Sequence, residues 1–304
     1  MGALPWVLLF ALWSSVAGKG CKRLSTIPEF GDIYHVKEEC LDSGPLRFIH
    51  SKNRPTLPSK LALNHLADRT PAEMAVLRGR LKSGAPNNGQ PFPSEGYTGL
   101  ILPESLDWRL YGAVTPVKDQ ALCGSCWSFA VTGAMEGALF LKTGVVTPLS
   151  QQVLIDCSWG FGNYGCDGGE EWSAYEWIKK HGGIASTDSY GLGGGEWLSS
   201  PLSVLQNGLC HYNKSELVGK MKGYVNVTSG NITALKAAIY KNGPVAVSID
   251  ASQRSFSFYS NGVYYEPKCG TLHPGSALLR RGVSQGAAAA FPLPEPRQGL
   301  ARIA

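Results

Sequence analysis

The sequence has little charge and no dense run of Lys or Arg. Charged residues make up 17% of its 304 residues and leave a formal net charge of +5, so we expect no nucleic-acid partner. No internal apolar run reaches the roughly 18 residues that a membrane-spanning helix needs. We therefore expect no membrane span once a signal peptide is removed. A hydrophobic content of 43% argues against a disordered acidic chain.

The N-terminus has the pattern of a secretory signal peptide. An apolar stretch from Leu4 to Ala17 ends in small residues, although no Lys or Arg precedes it. We expect cleavage after Ala17 or Gly18, which makes residues 1–18 the signal peptide. The expected location is the secretory pathway, with a lysosomal, endosomal or extracellular destination.

Two further features fit export. The chain has eight cysteines, and in an exported protein these are expected to pair mainly as disulfides. Three N-x-S/T sequons are candidate glycosylation sites that only an exported chain can use. Their asparagines are Asn213, Asn226 and Asn231.

The rest of the chain divides by composition into three parts. Residues 19–101 mix short polar helical segments with Pro-rich breaks, and residues 82–93 have the composition of an exposed linker. Residues 102–270 have the patterns of a globular domain. Residues 271–304 contain several prolines and a run of four alanines without periodic apolar residues, so we expect a disordered tail.

Several elements are predicted inside the globular part. Helices are expected after Cys126, after Ser150, and from Glu171 to His181, each with a starting or stopping signal beside it. Apolar alternation predicts strands at residues 244–250 and 262–265.

Cys126 stands where a thiol is easily activated. It immediately precedes the first predicted helix, and the unpaired N–H groups and positive dipole end of a helix N-terminus favour the thiolate. The preceding Gly124 allows a tight turn. The side-chain amide of Gln120, together with the backbone N–H of Cys126, is suited to forming an oxyanion hole.

A different interpretation is that Cys123 and Cys126 form a CxxC redox or metal pair. No second CxxC or His-x-His pair lies nearby to complete a zinc site, and Cys166 offers Cys123 a disulfide partner. We therefore predict neither a metal nor a cofactor.

The segment from Cys123 to Trp127 reads Cys-Gly-Ser-Cys-Trp, the known local signature of the papain and cathepsin nucleophile. Further resemblance comes from the segments 102–109, 114–120, 149–157 and 165–169. Residues 47–53 and 63–68 look like the end of the family's inhibitory propeptide. The sequence thus resembles the papain-like cysteine peptidases over roughly residues 47–190 and 208–270.

The resemblance implies an α+β, two-lobed papain-like fold, with a helical lobe and a β-rich lobe that is incomplete at its C-terminus. It also implies a shortened propeptide and linker at residues 19–101, which partner the peptidase domain. The roles that it implies are as follows: nucleophile, Cys126; oxyanion donor, Gln120; substrate-backbone strip, Gly168 and Gly169; disulfides, Cys123 with Cys166 and Cys157 with Cys210.

The family's base and its orienting asparagine are where this sequence departs from the pattern. Of six histidines, His273 follows Cys126 by 147 residues, within the roughly 130–150 typical of the family. The context differs, because Pro274 follows where the family has a buried strand. The chain has no Asn after Asn261 and no Trp after Trp197, so the family's Asn-Ser-Trp segment is absent. His273 is a candidate base by spacing only.

These departures lead us to expect an impaired peptidase, which would act on peptide or protein substrates only if a histidine reaches Cys126. We attribute the abrupt departures to alternative splicing or a misassembled gene model. Three alternatives stay open: a non-catalytic pseudo-peptidase, an inhibitory or binding module, and a non-productive isoform.

Overall fold

The computed structural model describes residues 23–26, 35–37, 44–64, 66–67, 69–79, 84–191, 206–268 and 290–291. The predicted signal peptide and most of the predicted tail lie outside these residues, as do Cys21, Cys40 and Cys269. No helix within the described ranges combines the length and apolar character needed to cross a bilayer.

Three helices form the larger buried core. They are α3 (Cys126–Thr143), α4 (Gln151–Cys157) and α5 (Glu171–His181). The predictions for all three are confirmed. Gly144 and Gly182 end α3 and α5 in the left-handed conformation, which glycine adopts without the steric cost of a Cβ. The Ser150 side chain caps α4 by accepting from the backbone N–H of Val153.

The core between these helices is almost completely shielded from solvent. Trp127, Phe129, Leu154, Trp177 and Ile178 are each no more than 1% exposed. Burial of large apolar side chains is the main favourable contribution to folding, so this region is expected to be the most stable part of the molecule.

The described residues before 102 form two further α-helices, in addition to a 3-10 turn at Ser94–Tyr97. They are α1 (Gly44–Lys52) and α2 (Pro71–Val76). Thr70 and Glu73 form a reciprocal capping box at the start of α2, and Pro71 occupies its first turn. These short helices match the expected polar helical segments.

The strands are short and occur in pairs. Two lie in the first part of the chain: β1 (Arg23–Thr26) and β2 (His35–Lys37), which are antiparallel. The other six within the described ranges are β3 (Ser59–Leu61), β4 (Gln90–Pro91), β5 (Leu106–Asp107), β6 (Val225–Asn226), β7 (Tyr259–Gly262) and β8 (Ala290–Phe291).

Three of the pairs join distant parts of the sequence. Strand β3 pairs with β7 and β5 with β8, both antiparallel, whereas β4 and β6 are parallel. Each pair therefore joins one strand from the first 107 residues to one from residue 225 or later. Within the predicted tail, the described residues Ala290 and Phe291 form β8, so these two positions are paired to β5.

Two strand predictions are wrong in position. Residues 244–250 contain only a bridge position at Ser248, because alternating apolar residues form a strand only when a neighbouring edge supplies a hydrogen-bonded ladder. The strand predicted at 262–265 lies instead at Tyr259–Gly262, where β3 pairs with it. Gly262 has a φ of +91°, which turns the chain out of the extended conformation and ends the strand.

The remaining α-helices of the described residues pack beside these strand pairs. They are α6 (Ile232–Asn242) and the single turn α7 (Arg254–Ser257). The linker residue Phe92 is 5% exposed and packs against Ala234, Ala237 and Ala238 of α6. The predicted linker is thus exposed over much of its length but anchored at this aromatic residue.

Candidate active site

Cys126 is the first residue of α3 and is 2% exposed. It is a cysteine outside the disulfides, whereas its neighbour Cys123 is bonded to Cys166. Ser125 precedes the helix without a side-chain capping hydrogen bond, and its buried Oγ has no hydrogen-bond partner in the described structure. The thiol therefore lies at a helix N-terminus that Ser125 does not cap, a setting that favours the thiolate.

The turn before Cys126 is bonded to the segment that contains Cys166. The Cys123–Cys166 disulfide joins the two segments, and the N–H of Gly124 donates to the carbonyl oxygen of Cys166 at 2.9 Å. A Cβ on Gly124 would lie 2.5 Å from that oxygen and 2.7 Å from the carbonyl oxygen of Val76. Only glycine fits here because backbone approaches from both sides.

The Gln120 side chain is held beside the same turn. Its Nε2 donates to the carbonyl oxygens of Cys123 and Leu77, each at 2.8 Å. Leu77 precedes the predicted domain start at residue 102. The amide that sequence reasoning assigns to the oxyanion hole is therefore bound to a peptide carbonyl of the predicted pro-region.

The predicted pro-region also reaches the thiol. A Cβ built on Gly79 would meet the carbonyl oxygen of Gly124 and would lie 2.9 Å from Sγ of Cys126. Gly79 has a φ of +50°, in the region that glycine tolerates best. Residues 76–79 thus run directly over Cys126, with Leu77 at Gln120 and Gly79 at the thiol.

Gly168 and Gly169, predicted to face a substrate backbone, follow Cys166, the disulfide partner of Cys123, by two and three residues. The Gly168 carbonyl accepts from the N–H of Tyr164 at 2.8 Å, and its φ is 119°. A Cβ on Gly169 would lie 2.5 Å from Oδ1 of Asn163 and 2.7 Å from the Trp127 ring. Packing against Trp127 and Asn163 therefore gives a reason for glycine at 169 that the sequence did not reveal.

Residues of the predicted linker form hydrogen bonds with Trp172 and Tyr224. The indole N–H of Trp172 donates to the carbonyl oxygen of Ala85 at 3.1 Å. Further on, the Tyr224 hydroxyl accepts from the N–H of Asn88 at 3.1 Å. Burial raises the pKa of Tyr224 to about 12, and the nearby Glu176 carboxylate adds to the rise.

The histidines whose rings are described either pack against aromatic rings or lie on the surface. The His181 ring stacks on Trp177 with centroids 4.5 Å apart, and its Nδ1 lies 2.8 Å from the carbonyl oxygen of Trp177. The His211 ring stacks on Tyr190 at 4.0 Å. His50 is exposed on α1. These packing and surface roles agree with the sequence interpretation, and His273 lies outside the described residues.

A buried ionic network behind the turn was missed by sequence reasoning. Glu136, 1% exposed, accepts from Lys118 Nζ at 3.1 Å, from Thr115 Oγ1 at 2.7 Å and from the N–H of Leu149 at 2.9 Å. Lys118 lies two residues before Gln120, so the network fixes the segment that carries the amide. A carboxylate among the apolar residues of α3 was the available signal, since a buried charge requires partners.

A second network holds the residues around Cys210, which is disulfide-bonded to Cys157. Asp156, 4% exposed, accepts from the N–H of Gly208 at 2.8 Å and from the Tyr190 hydroxyl at 2.9 Å. Burial and then the hydrogen bond to Asp156 raise the pKa of Tyr190 well above its ordinary value. Both disulfides in the described structure are those that the family resemblance implies.

Comparison with known proteins decides the family. The model of the papain family of cysteine proteases matches residues 102–286. The chain belongs to the papain family. The match begins at the predicted domain start, includes Cys126 and Gln120, and extends past residue 270, where the sequence predicts the tail to begin.

Relatives and solved structures agree with this membership. A cathepsin L-like peptidase of Aedes aegypti is 49% identical over 181 residues, which are 60% of this chain and 50% of that protein. Cathepsin K of Mus musculus is 41% identical over 223 residues, covering 72% of this chain and 63% of that protein. The chain thus spans about half to two thirds of the length of such relatives.

Digestive procathepsin L 3 of Tenebrio molitor has a similar structure. Its TM-score is 0.65 at 36% sequence identity, covering 78% of this chain and 72% of that chain. The prediction of an α+β papain-like fold is therefore confirmed. Because this papain-family neighbour is a proform, it also supports the assignment of a propeptide as a partner of the domain.

Proposed function

We propose that this chain is the proform of a papain-type cysteine endopeptidase, exported through the secretory pathway to a lysosome-like or extracellular destination. Cys126 is the nucleophile, Gln120 an oxyanion-hole donor, and residues 76–79 close the cleft. The observation that carries the proposal is the hydrogen bond from Gln120 Nε2 to the Leu77 carbonyl oxygen beside Cys126. An amide that holds a peptide carbonyl in the proform is suited to holding one in a substrate.

The chemistry of this arrangement is acyl transfer. The Cys126 thiolate attacks the carbonyl carbon of a peptide bond, and the carbonyl oxygen becomes an oxyanion. The Gln120 amide and the N–H of Cys126 stabilise that oxyanion. A protonated histidine must then give its proton to the leaving amine, and water hydrolyses the resulting thioester.

The position of the pro-region supports inhibition rather than cleavage. Gln120 binds the carbonyl of Leu77, whereas the residue against Sγ is Gly79, two positions further on. The carbonyl at the oxyanion donor and the backbone over the thiol therefore belong to different peptide units. Such a segment fills the site without presenting one carbonyl to both groups, and proximity with correct orientation is what the reaction needs.

We further propose that catalysis by this chain is impaired. The sequence contains no Asn-Ser-Trp segment after Asn261, and Pro274 follows His273 where a strand is expected. Without a base to form a thiolate–imidazolium pair, losses in a comparable triad reach several orders of magnitude. The helix N-terminus would still leave Cys126 reactive towards small alkylating agents once residues 76–79 are displaced.

The test compares two reagents on the secreted chain before and after acid treatment, with Cys126→Ala as the control. Disulfide mapping of Cys123–Cys166 and Cys157–Cys210 shows that the chain is folded. We expect iodoacetamide to label Cys126 only after acid treatment, and a peptidyl epoxide specific for papain-type thiolates to give no adduct.

Each other outcome corrects a different part of the proposal. Equal labelling of Cys126 before acid treatment would contradict closure of the cleft by residues 76–79. A stoichiometric epoxide adduct that is absent from Cys126→Ala would overturn the impairment, and His273→Ala would then identify the base. Failure of iodoacetamide to react after acid treatment would contradict an activated thiol and favour the non-catalytic alternative.

A further inference from the structure

The three sequons differ in how the folded chain uses their asparagines. Asn213 and Asn231 are exposed, whereas Asn226 is half-buried in β6 beneath the linker. N-glycosylation replaces one of the two hydrogens on Nδ2 of the asparagine amide. The surroundings of Nδ2 therefore decide whether a glycan is compatible with the folded structure.

At Asn226 the linker surrounds Nδ2. This nitrogen donates to Oδ1 of Asn87 at 2.9 Å and to the carbonyl oxygen of Gly89 at 3.0 Å. The Asn87 amide donates back to Oδ1 of Asn226 at 3.2 Å. Both amide hydrogens of Asn226 thus point at linker acceptors, and a sugar replacing either hydrogen would occupy the position of the linker.

The linker backbone packs closely against the Asn226 side chain. A Cβ on Gly89 would lie 2.5 Å from Nδ2 of Asn226 and 2.6 Å from the Tyr224 ring. On either side, the N–H of Gln90 donates to the Tyr224 carbonyl at 3.0 Å, and the N–H of Phe92 donates to the Asn226 carbonyl at 2.9 Å. These two backbone hydrogen bonds hold the linker against Asn226, so a sugar ring on Nδ2 would require the linker to move away.

The other two asparagines have open surroundings. Asn231 caps α6 through Oδ1, which accepts from the N–H of Ala234 at 2.9 Å, so its cap does not use Nδ2. Asn213 donates from Nδ2 to the exposed Glu216 at 3.1 Å, a contact that a surface side chain can give up. Neither contact involves the linker.

We propose that a glycan on Asn226 and docking of the linker on β6 exclude each other, whereas Asn213 and Asn231 are open acceptors in the docked form. Chains with a docked linker then carry glycans only on Asn213 and Asn231. A glycan on Asn226 holds the linker away from β6 and loosens the pro-region next to the cleft. This inference depends on export but not on whether Cys126 is catalytic.

The experiment uses the full chain, recovered from the secretory pathway of a eukaryotic host. Chymotrypsin cleavage after Tyr97 reports undocking, because the Tyr97 ring stacks on the buried Phe92 at 5.2 Å when the linker is docked. The resistant and cleaved fractions are separated, and glycan occupancy at each sequon is measured by mass spectrometry after peptide N-glycosidase treatment. We expect the resistant fraction to have no glycan on Asn226.

Two matched variants separate the sequons. Thr228→Ala removes the Asn226 sequon but keeps the Asn226 amide, so every chain should become resistant at Tyr97. Thr233→Ala removes the Asn231 sequon in the same way and should leave the resistant share unchanged. Both threonines are exposed, so neither change alters the core.

Three possible results of this experiment decide the proposal. Glycan on Asn226 at equal occupancy in the resistant and cleaved fractions would overturn the proposal. A resistant fraction in which neither Asn213 nor Asn231 carries a glycan would overturn their assignment as open acceptors. An unmodified Asn226 in all chains, with the other two sites occupied and the linker resistant, agrees with it.

Discussion

The helical region and the strand-containing region are stabilised in different ways. Helices α3, α4 and α5 close a core among themselves, and the Cys123–Cys166 and Cys157–Cys210 disulfides reinforce it. The strands β6 and β7 instead pair with β4 and β3, which come from the predicted linker and pro-region. One region therefore contains its own packing partners, and the other depends on chain that precedes residue 102.

This difference has a consequence for the proposed proform. An unpaired strand edge exposes backbone donors and acceptors, so removal of the pro-region would leave β6 and β7 with unsatisfied edges. The helical region would keep its buried core. We therefore expect changes in the pro-region to affect hydrogen exchange locally, and changes in the helical core to affect the whole domain.

The largest effect is expected from Leu154→Ala. Leu154 is fully buried in the helical core, and truncating a buried Leu to Ala costs about 2–5 kcal/mol. Urea unfolding should show this loss of stability, and amide exchange should rise throughout α3, α4 and α5. The matched change Leu61→Ala, in β3, should raise exchange only in residues 44–64 and 258–262. Equal effects of the two changes on the helices would contradict the comparison.

The next effect concerns the ionic network beneath Gln120. Lys118→Met leaves the Glu136 carboxylate buried without its cation, and breaking such a pair costs about 3 kcal/mol. Lys179→Met is the control, because the Lys179 side chain is 45% exposed and its Nζ lies 3.7 Å from Glu176, so this ion pair should contribute less than about 1 kcal/mol. Urea unfolding of the two variants measures the difference. Similar losses in both would show that Glu136 does not depend on Lys118.

A smaller, local effect is expected at the β3–β7 pair. In Gly262→Ala, the new Cβ would meet the carbonyl oxygen of Pro58, and the φ of +91° adds about 1–3 kcal/mol of strain. In the control, Gly144→Ala, the φ is +74° but the surrounding space is open. Amide exchange should rise in residues 59–61 only for Gly262→Ala. Unchanged exchange there would mean that the pair tolerates displacement.

The smallest effect is expected from Tyr224→Phe, which removes the hydroxyl that accepts from Asn88. Loss of this hydrogen bond should cost about 1 kcal/mol at neutral pH and speed chymotrypsin cleavage after Tyr97. Tyr111→Phe, at an exposed tyrosine, is the control.

The same residue gives a pH dependence. The pKa of Tyr224 rises from 10.0 to about 12 on folding, so the folded state keeps the proton more tightly. Its contribution to stability is present below pH about 10 and is lost as the pH rises from about 10 to about 12. The stability gap between the wild-type chain and Tyr224→Phe should shrink over that range. A constant gap would show that Tyr224 does not titrate with folding.

Local signals in the sequence predicted the helical region well. The start at Cys126, the Ser150 cap and the glycines at 144 and 182 lie within a few residues of the helix ends that they determine. The strands were predicted less well, since residues 244–250 have the right alternation but form only a bridge position. A strand depends on a partner that is far away in sequence, and alternation does not identify that partner.

The candidate site divides in the same way. A five-residue motif was enough to select Cys126, and Gln120 followed from its proximity in sequence. The hydrogen bond from Gln120 to the Leu77 carbonyl, and the position of Gly79 over the thiol, join residues more than 40 positions apart in the sequence. The ion pair between Lys118 and Glu136, and the hydrogen bond between the Asn226 and Asn87 side chains, are likewise contacts between separate segments.

The sequence by itself determined the family, the two disulfides that the family resemblance implies, and the helix that places Cys126 at its N-terminus. These depend on short motifs and on periodicity within one segment. Only the tertiary structure decided that residues 76–79 cover the thiol, that strands before residue 102 pair with β6 and β7, and that residues 87–89 enclose the Asn226 amide. The physical reason is that steric fit and hydrogen-bond partners are properties of segments that folding brings together, and no local pattern records them.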